Sequence, residues 1–167
     1  MALHLALPAR KHNQAWKQYQ KELSAAGELR GRQKSCRAFL RQRRRFSSEK
    51  TVPAGYVPDT VYFLMDESEG KILGRISIRH RLNDYLLNRG GHIGYAVAPS
   101  ERRKGYATEQ LRLGLEKCRE MGLSPVLITC LKENIASAKV IQKNGGVLED
   151  ERVSGEGKVF QRYWIEV

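Results

Sequence analysis

The stretch HIGYAVAPSERRKGYAT, residues 92–108, holds a β-rich run, a proline, a basic polar loop and the start of a helix. His92 to Ala98 reads as a strand, and Pro99 ends it because it has no N–H to give to a ladder. Beyond the loop, Ala107, Leu111, Leu115 and Cys118 recur at helical spacing, with Gly122 as the stop. The loop SERRKG at 100–105 therefore joins a strand end to a helix N-terminus. Orphan amides and the positive end of the helix dipole meet there, so the expected ligand is an anion, phosphate above all. Gly105 permits backbone conformations and a close approach that a Cβ would obstruct. Ala107 keeps the first turn small, and Arg102, Arg103 and Lys104 add positive charge. Taken alone, the same residues also read as a solvated basic turn, so the decision rests on their surroundings.

Downstream, Pro125 to Leu131 is a further strand. Asn134 to Asn144 is a short helix with Ala138 and Ile141 inward and Gly145 at its end, and Lys158 to Val167 is a closing strand. Upstream, TVYFLM (60–65) and KILGRISI (71–78) flank the turn DESEG and predict an antiparallel hairpin. Residues Arg79 to Gly91 make a short helical or irregular excursion ended by two glycines. Ala15, Trp16, Tyr19 and Leu23 mark an amphipathic helix between Pro8 and about Ala26. Between Glu28 and Asp59, Phe39, Leu40 and Phe46 anchor a second helix with a basic face, RQRRR at 41–45, before a loop set by Pro53, Gly55 and Pro58. This order predicts one α/β domain over residues 1–167, of the α+β kind: a mixed sheet with helices packed on it.

Thirty Lys and Arg against eighteen Asp and Glu leave a net charge of +12, a field that attracts anions. Nucleic acid is the rival anionic partner, but a charge run such as RQRRR is more often a solvated helix face, which makes that reading the weaker one. Three cysteines, Cys36, Cys118 and Cys130, are an odd number without metal-ligand spacing. They predict no metal and a reducing, cytoplasmic setting. The apolar run near the N-terminus is too short for a signal peptide, and nothing approaches membrane-spanning length, so no membrane partner is expected.

Dinucleotide and P-loop readings fail, because no Gly-x-Gly-x-x-Gly stands at a first strand-to-helix turn and no Gly-Lys-Ser/Thr ends the loop. Instead GYAVAPSERRKGYAT resembles the Arg/Gln-x-x-Gly-x-Gly/Ala signature of the GNAT superfamily of acyl-CoA-dependent N-acyltransferases, in the form Arg102 to Ala107. NIASAKVIQKNGG, residues 134–146, is similar to the family's next motif. The resemblance is close over 92–146, and the first sixty residues match only as generic helices.

The resemblance implies a GNAT-like acyl-CoA-binding fold with a splayed parallel strand pair. It implies acetyl-CoA as cosubstrate and transfer of the acetyl group to a primary amine of a small molecule or peptide by direct attack on the thioester. The pantetheine arm would pair with the backbone of Tyr95, Ala96 and Val97, and the Val97 N–H would face the growing oxyanion. Residues Arg102, Arg103, Lys104, Gly105, Tyr106, Ala107 and Thr108 would hold the pyrophosphate. Asn134 and Ser137 would contact the arm, with a helix N-cap as the alternative for Asn134. The family's usual acidic tyrosine position is Ile141 here, and its glutamate two residues before Gly94 is His92. His92 then becomes a candidate base or water relay, against a structural role, and His80 is a weaker rival. Tyr163 on the closing strand is a candidate acid, against core packing. The spans Glu28 to Asp59 and Arg79 to Gly91 would shape the acceptor pocket. A non-catalytic acyl-CoA-binding module, motivated by Ile141 and the missing glutamate, stays open beside the enzyme, as does a homodimer.

Overall fold

Strict alternation along Gly74–Arg79 organises the molecule: Ile76 and Ile78 are fully buried, while Arg75, Ser77 and Arg79 on the opposite face are only partly covered. In the computed structural model, which describes residues 2–167, this strand is β3. It follows β1 (His4–Ala6), α1 (Asn13–Ala25), α2 (Cys36–Phe46) and β2 (Asp59–Met65). After it come α3 (Asp84–Asn88), β4 (Ile93–Val97), α4 (Tyr106–Glu120), β5 (Val126–Leu131), α5 (Ile135–Lys143), β6 (Val147–Val153) and β7 (Val159–Ile165).

Each face of the four-stranded sheet has its own core. Ile76 and Ile78 pack with Ile93, Leu111, Leu115, Cys118, Val126 and Ile128, beneath α4. Gly114 is what lets α4 lie so low, since a Cβ there would sit 2.4 Å from Ile76 Cδ1. The second core lies under α1 and α2. Trp16 stacks on Phe39 at 4.1 Å between centroids, and Phe63 of β2 lies 5.9 Å from both rings. The Ser35 hydroxyl caps α2 by accepting from Ala38 N–H.

The single mixed sheet expected divides into two. β1-β2-β3-β4 and β5-β7-β6 are separate sheets in which every neighbouring pair is antiparallel. They meet at His92. Its C=O accepts from Arg79 N–H on β3 at 2.7 Å, while its N–H donates to Leu127 O on β5 at 2.7 Å. The imidazole Nδ1 accepts from Leu127 N–H at 2.9 Å. Gly91, at φ 63°, bridges Ile128, and a Cβ there would sit 2.4 Å from Leu127 O. Beyond His92 no ladder joins β4 to β5, so the two strands splay.

Two strands were not foreseen. β1 is three residues long, too short for a readable alternation. β6 is an edge strand with charged residues on both faces. A register shift between Leu148 and Asp150 adds Glu149 as an extra residue. Both Glu149 and Asp150 consequently reach the buried Arg162 of β7, at 2.5 and 2.9 Å. The helix read from Pro8 begins at Asn13, after a 3-10 turn over Arg10–His12. Among the described residues no helix is long and apolar enough to cross a membrane.

Candidate functional site

The opening between the two sheets presents backbone rather than side chains. In the β3–β4 ladder the bonds Arg79 N to His92 O and Ala98 N to Leu73 O flank the register Gly74↔Val97 to Ile78↔Ile93. Antiparallel pairs alternate, so residues 94 and 96 bond toward β3, and the backbone groups of Tyr95 and Val97 point away from it, toward the opening. Val97 O accepts from Arg102 Nε at 3.3 Å. Gly105 precedes α4 at φ 82°, with no atom within 4 Å of a notional Cβ. The N–H groups of Gly105, Tyr106, Ala107 and Thr108 donate to no acceptor among the described residues. They form an open donor cluster at the positive end of a 15-residue helix.

The three cations before Gly105 are not equivalent. The Arg102 guanidinium grips Glu28 through two bonds, at 2.8 and 2.5 Å. Lys104 donates to the buried Glu101, which Lys71 also contacts. Those two ammonium groups, Lys104 first, hold the Glu101 carboxyl below its usual range. Arg103, at φ 62°, has no ion pair among the described residues. It is the one residue of the three with an uncommitted charge.

Across the opening, the Tyr95 hydroxyl meets Ser137 Oγ at 3.1 Å, linking β4 to α5. Burial raises the Tyr95 pKa above the usual phenol value, so this hydroxyl is protonated at neutral pH. Asn134 caps α5, its Oδ1 accepting from Ser137 N–H at 3.1 Å. Ile141, fully buried, fills the core below and contributes no polar atom. Asn144 Nδ2 donates to Thr108 O at 3.2 Å, fastening the end of α5 to the first turn of α4.

His92 and Tyr163 stand apart from the hydroxyl pair, with no hydrogen bond to it. His92 is 8% exposed, and burial, helped by the nearby Arg79, lowers its pKa. A neutral ring whose Nδ1 accepts from Leu127 carries its proton on Nε2, so its lone pair is already used. Tyr163 is 2% exposed in the core under α5 and donates to Gln161 Oε1 at 2.9 Å, with its pKa raised by burial. His80 Nε2 pairs with Thr60 Oγ1 at 2.8 Å.

On the other face of β3 and β4 lies a cleft of about 810 Å³. Its floor is Arg75, Ser77, Arg79, Gly94 and Ala96, and its roof comes from α1, α2 and the loop between them. The Arg residues of this floor were not singled out from the sequence. The signal was there in GRISIR, whose alternation puts Arg75 and Arg79 opposite the buried Ile76 and Ile78. Among the described residues no group of three or more His, Cys, Asp or Glu is placed to hold a metal.

Comparison with known proteins bears on the family and the fold. The family model described as an acetyltransferase (GNAT) domain matches residues 9–147. A search of curated proteins finds no match. Among solved structures, the RimL ribosomal L7/L12 alpha-N-protein acetyltransferase in complex with coenzyme A aligns over 100% of this chain and 95% of that one, at 17% identity and TM-score 0.72. The microcin C7 self-immunity acetyltransferase MccE, in complex with acetyl-CoA and AMP, aligns over 99% and 92%, at 17% identity and TM-score 0.68. A GNAT-family acetyltransferase from Bacillus anthracis aligns over 99% and 95%, at 20% identity and TM-score 0.66.

Proposed function

Because the chain belongs to the GNAT acetyltransferase family, the acyl-CoA-dependent N-acetyltransferases, we propose that it moves an acetyl group from acetyl-CoA to a primary amine of a small molecule or peptide. The observation that carries this reading is the open donor cluster at Gly105, Tyr106, Ala107 and Thr108, beside the splay of β4 from β5. RimL and MccE, whose structures hold coenzyme A and acetyl-CoA, share the fold.

Bound acetyl-CoA supplies an acetyl thioester, already activated toward an amine. The four amides from Gly105 to Thr108 and Arg103 hold the pyrophosphate, needing no side chain beyond that one cation. The outward backbone groups of Tyr95 and Val97 align the pantetheine arm, and the Val97 N–H faces the oxygen on which negative charge develops. Asn134 keeps its Nδ2 for the arm while Oδ1 caps α5. The Tyr95–Ser137 hydroxyl pair takes the acid role that Ile141 cannot fill, and it delivers the proton to the departing sulfur. His92 positions the splay and takes no proton, so the amine loses its proton to water. Three free, buried cysteines suit a reducing compartment, and we place the reaction in the cytoplasm on that ground.

Calorimetric titration with acetyl-CoA tests the reading. Single-site binding is expected, weakened about 100-fold or more by Gly105→Glu, whose carboxylate would repel the pyrophosphate at close range. Gly105→Ala, which adds a Cβ at a left-handed position facing the pyrophosphate, would lose about tenfold. A parent protein that does not bind acetyl-CoA overturns the proposal. Binding without CoA release on any amine favours the non-catalytic module that Ile141 suggests.

A further inference from the structure

The cleft on the α1–α2 side is built from cations. Arg30, Arg32, Lys34, Arg43, Arg75 and Arg79 line it, against a single acid, Glu28, which is held by Arg102. Several of the six are spoken for. Arg43 pairs with Asp59 at 2.8 Å, Lys34 Nζ donates to Gln42 at 3.2 Å, and Arg79 Nη1 donates to Gly90 O and Gly91 O. Arg75 differs. It rises from the floor at the register position of Ala96, lies 5.2 Å from the Phe39 ring centroid, and has no hydrogen bond or ion pair among the described residues. Nor does Asp59 serve it, for that carboxylate already accepts from Arg43 and from Ser77 Oγ.

A partly buried guanidinium without a counter-ion is costly, and the cost falls when an anion arrives to take its planar fork. A guanidinium set against an aromatic ring suits two-point recognition of a carboxylate better than a lysine would. The cross-strand neighbour of Arg75 is Ala96, on the strand along which the proposed acetyl-CoA site runs. An acidic group carried by an amine that reaches that strand would therefore lie beside Arg75.

We infer that the acceptor is an amine bearing a carboxylate on the same scaffold, with the carboxylate seated on Arg75 and the amine directed past Gly94 and Ala96 toward the opening between the sheets. This rests on the N-acetyltransferase reading and names its substrate class. A polycationic amine meets like charge throughout the cleft and is rejected. The same carboxylate chemistry comes from two sources, a free acidic amino acid and the N-terminal residues of an acidic peptide.

The test is release of CoA thiol from acetyl-CoA over matched pairs of amines. The pairs are glutamate and glutamine amide, aspartate and asparagine amide, β-alanine and its amide, and the C-terminally amidated peptides Asp-Glu-Glu-Ala and Asn-Gln-Gln-Ala, with spermidine as the cationic arm. At least one acidic member is expected to exceed its neutral partner by tenfold or more in kcat/KM. The free and peptide arms identify the source. Arg75→Gln is expected to erase that preference, and Arg75→Lys to restore only part of it, with acetyl-CoA affinity measured by calorimetry unchanged in both. Faster turnover of neutral amines or spermidine, turnover of no amine at all, or a preference that survives Arg75→Gln would each overturn the inference. In those cases retained acetyl-CoA binding leaves the cofactor site standing, and lost binding in the parent protein marks the failure of the broader reading instead.

Discussion

Two regions separated by one strand pair do their work with different atoms. On the α4 side, the opening is lined by main-chain groups: the outward amides of Tyr95 and Val97 and the free N–H groups from Gly105 to Thr108. On the α1–α2 side, the cleft is lined by side chains, with arginines at alternate positions of β3. Main-chain recognition depends on where the chain bends, so glycines and helix ends decide it. Side-chain recognition depends on identity, so single substitutions decide it.

The contrast breaks most visibly at Gly91. A methyl group there meets Leu127 O at 2.4 Å from a left-handed backbone, so Gly91→Ala is expected to destabilise the fold by about 3–4 kcal/mol in urea titrations. A cost below about 1 kcal/mol would mean that the junction of the sheets is not the rigid point described.

A smaller effect is expected at His92. His92→Ala leaves the buried Leu127 N–H without its acceptor and should cost about 1–3 kcal/mol, while His92→Asn, whose Oδ1 can accept, recovers part of it. Because burial lowers the folded-state pKa of His92 below 6.5, its contribution is complete above pH 6.5 and is lost as the pH falls through the folded value. Urea midpoints across pH 5 to 7.5 should show this slope in the parent protein and not in His92→Ala. An identical slope in both would assign the pH dependence elsewhere.

The smallest effect has the opposite sign. Gln110 of α4 is fully buried against Gly74, with neither amide atom hydrogen-bonded among the described residues. Gln110→Met keeps the shape and removes the unmet polar group, so stability should rise by about 1 kcal/mol in thermal unfolding. A loss of that size would place an ordered water on the amide and make this wall less dry than it is drawn.

What was legible in the sequence follows the same division. Pro99, Gly105 and the periodic Ala107, Leu111, Leu115 and Cys118 mark strand, loop and helix with local signals, and the donor cluster lies between those signals. Asn134 was readable both as a helix cap and as a cofactor contact, and the structure gives its Oδ1 to the cap. His92 was not readable as a junction, because its partner Leu127 stands 35 residues away. β6 escaped notice because a bulged edge strand, VLEDERV, carries no alternation to detect. Arg75 was visible in the alternation of GRISIR but carried no sign of the roof above it, since Trp16, Tyr19 and Phe39 arrive from segments more than thirty-five residues upstream.

The alternation of β3 also bears on how such a protein changes over generations. Positions 76 and 78 are locked by the packing of α4, whereas 75, 77 and 79 face the cleft, where Ser77 bonds to Asp59, Arg79 bonds to Gly90 O and Gly91 O, and Arg75 makes no hydrogen bond among the described residues. Within the second set, a mutation at Arg75 breaks no hydrogen bond among the described residues and so is held less tightly by the stability threshold that constrains the first. One strand thus separates heritable foldability from heritable selectivity, so a descendant can acquire a new partner at position 75 while inheriting its scaffold and donor site intact.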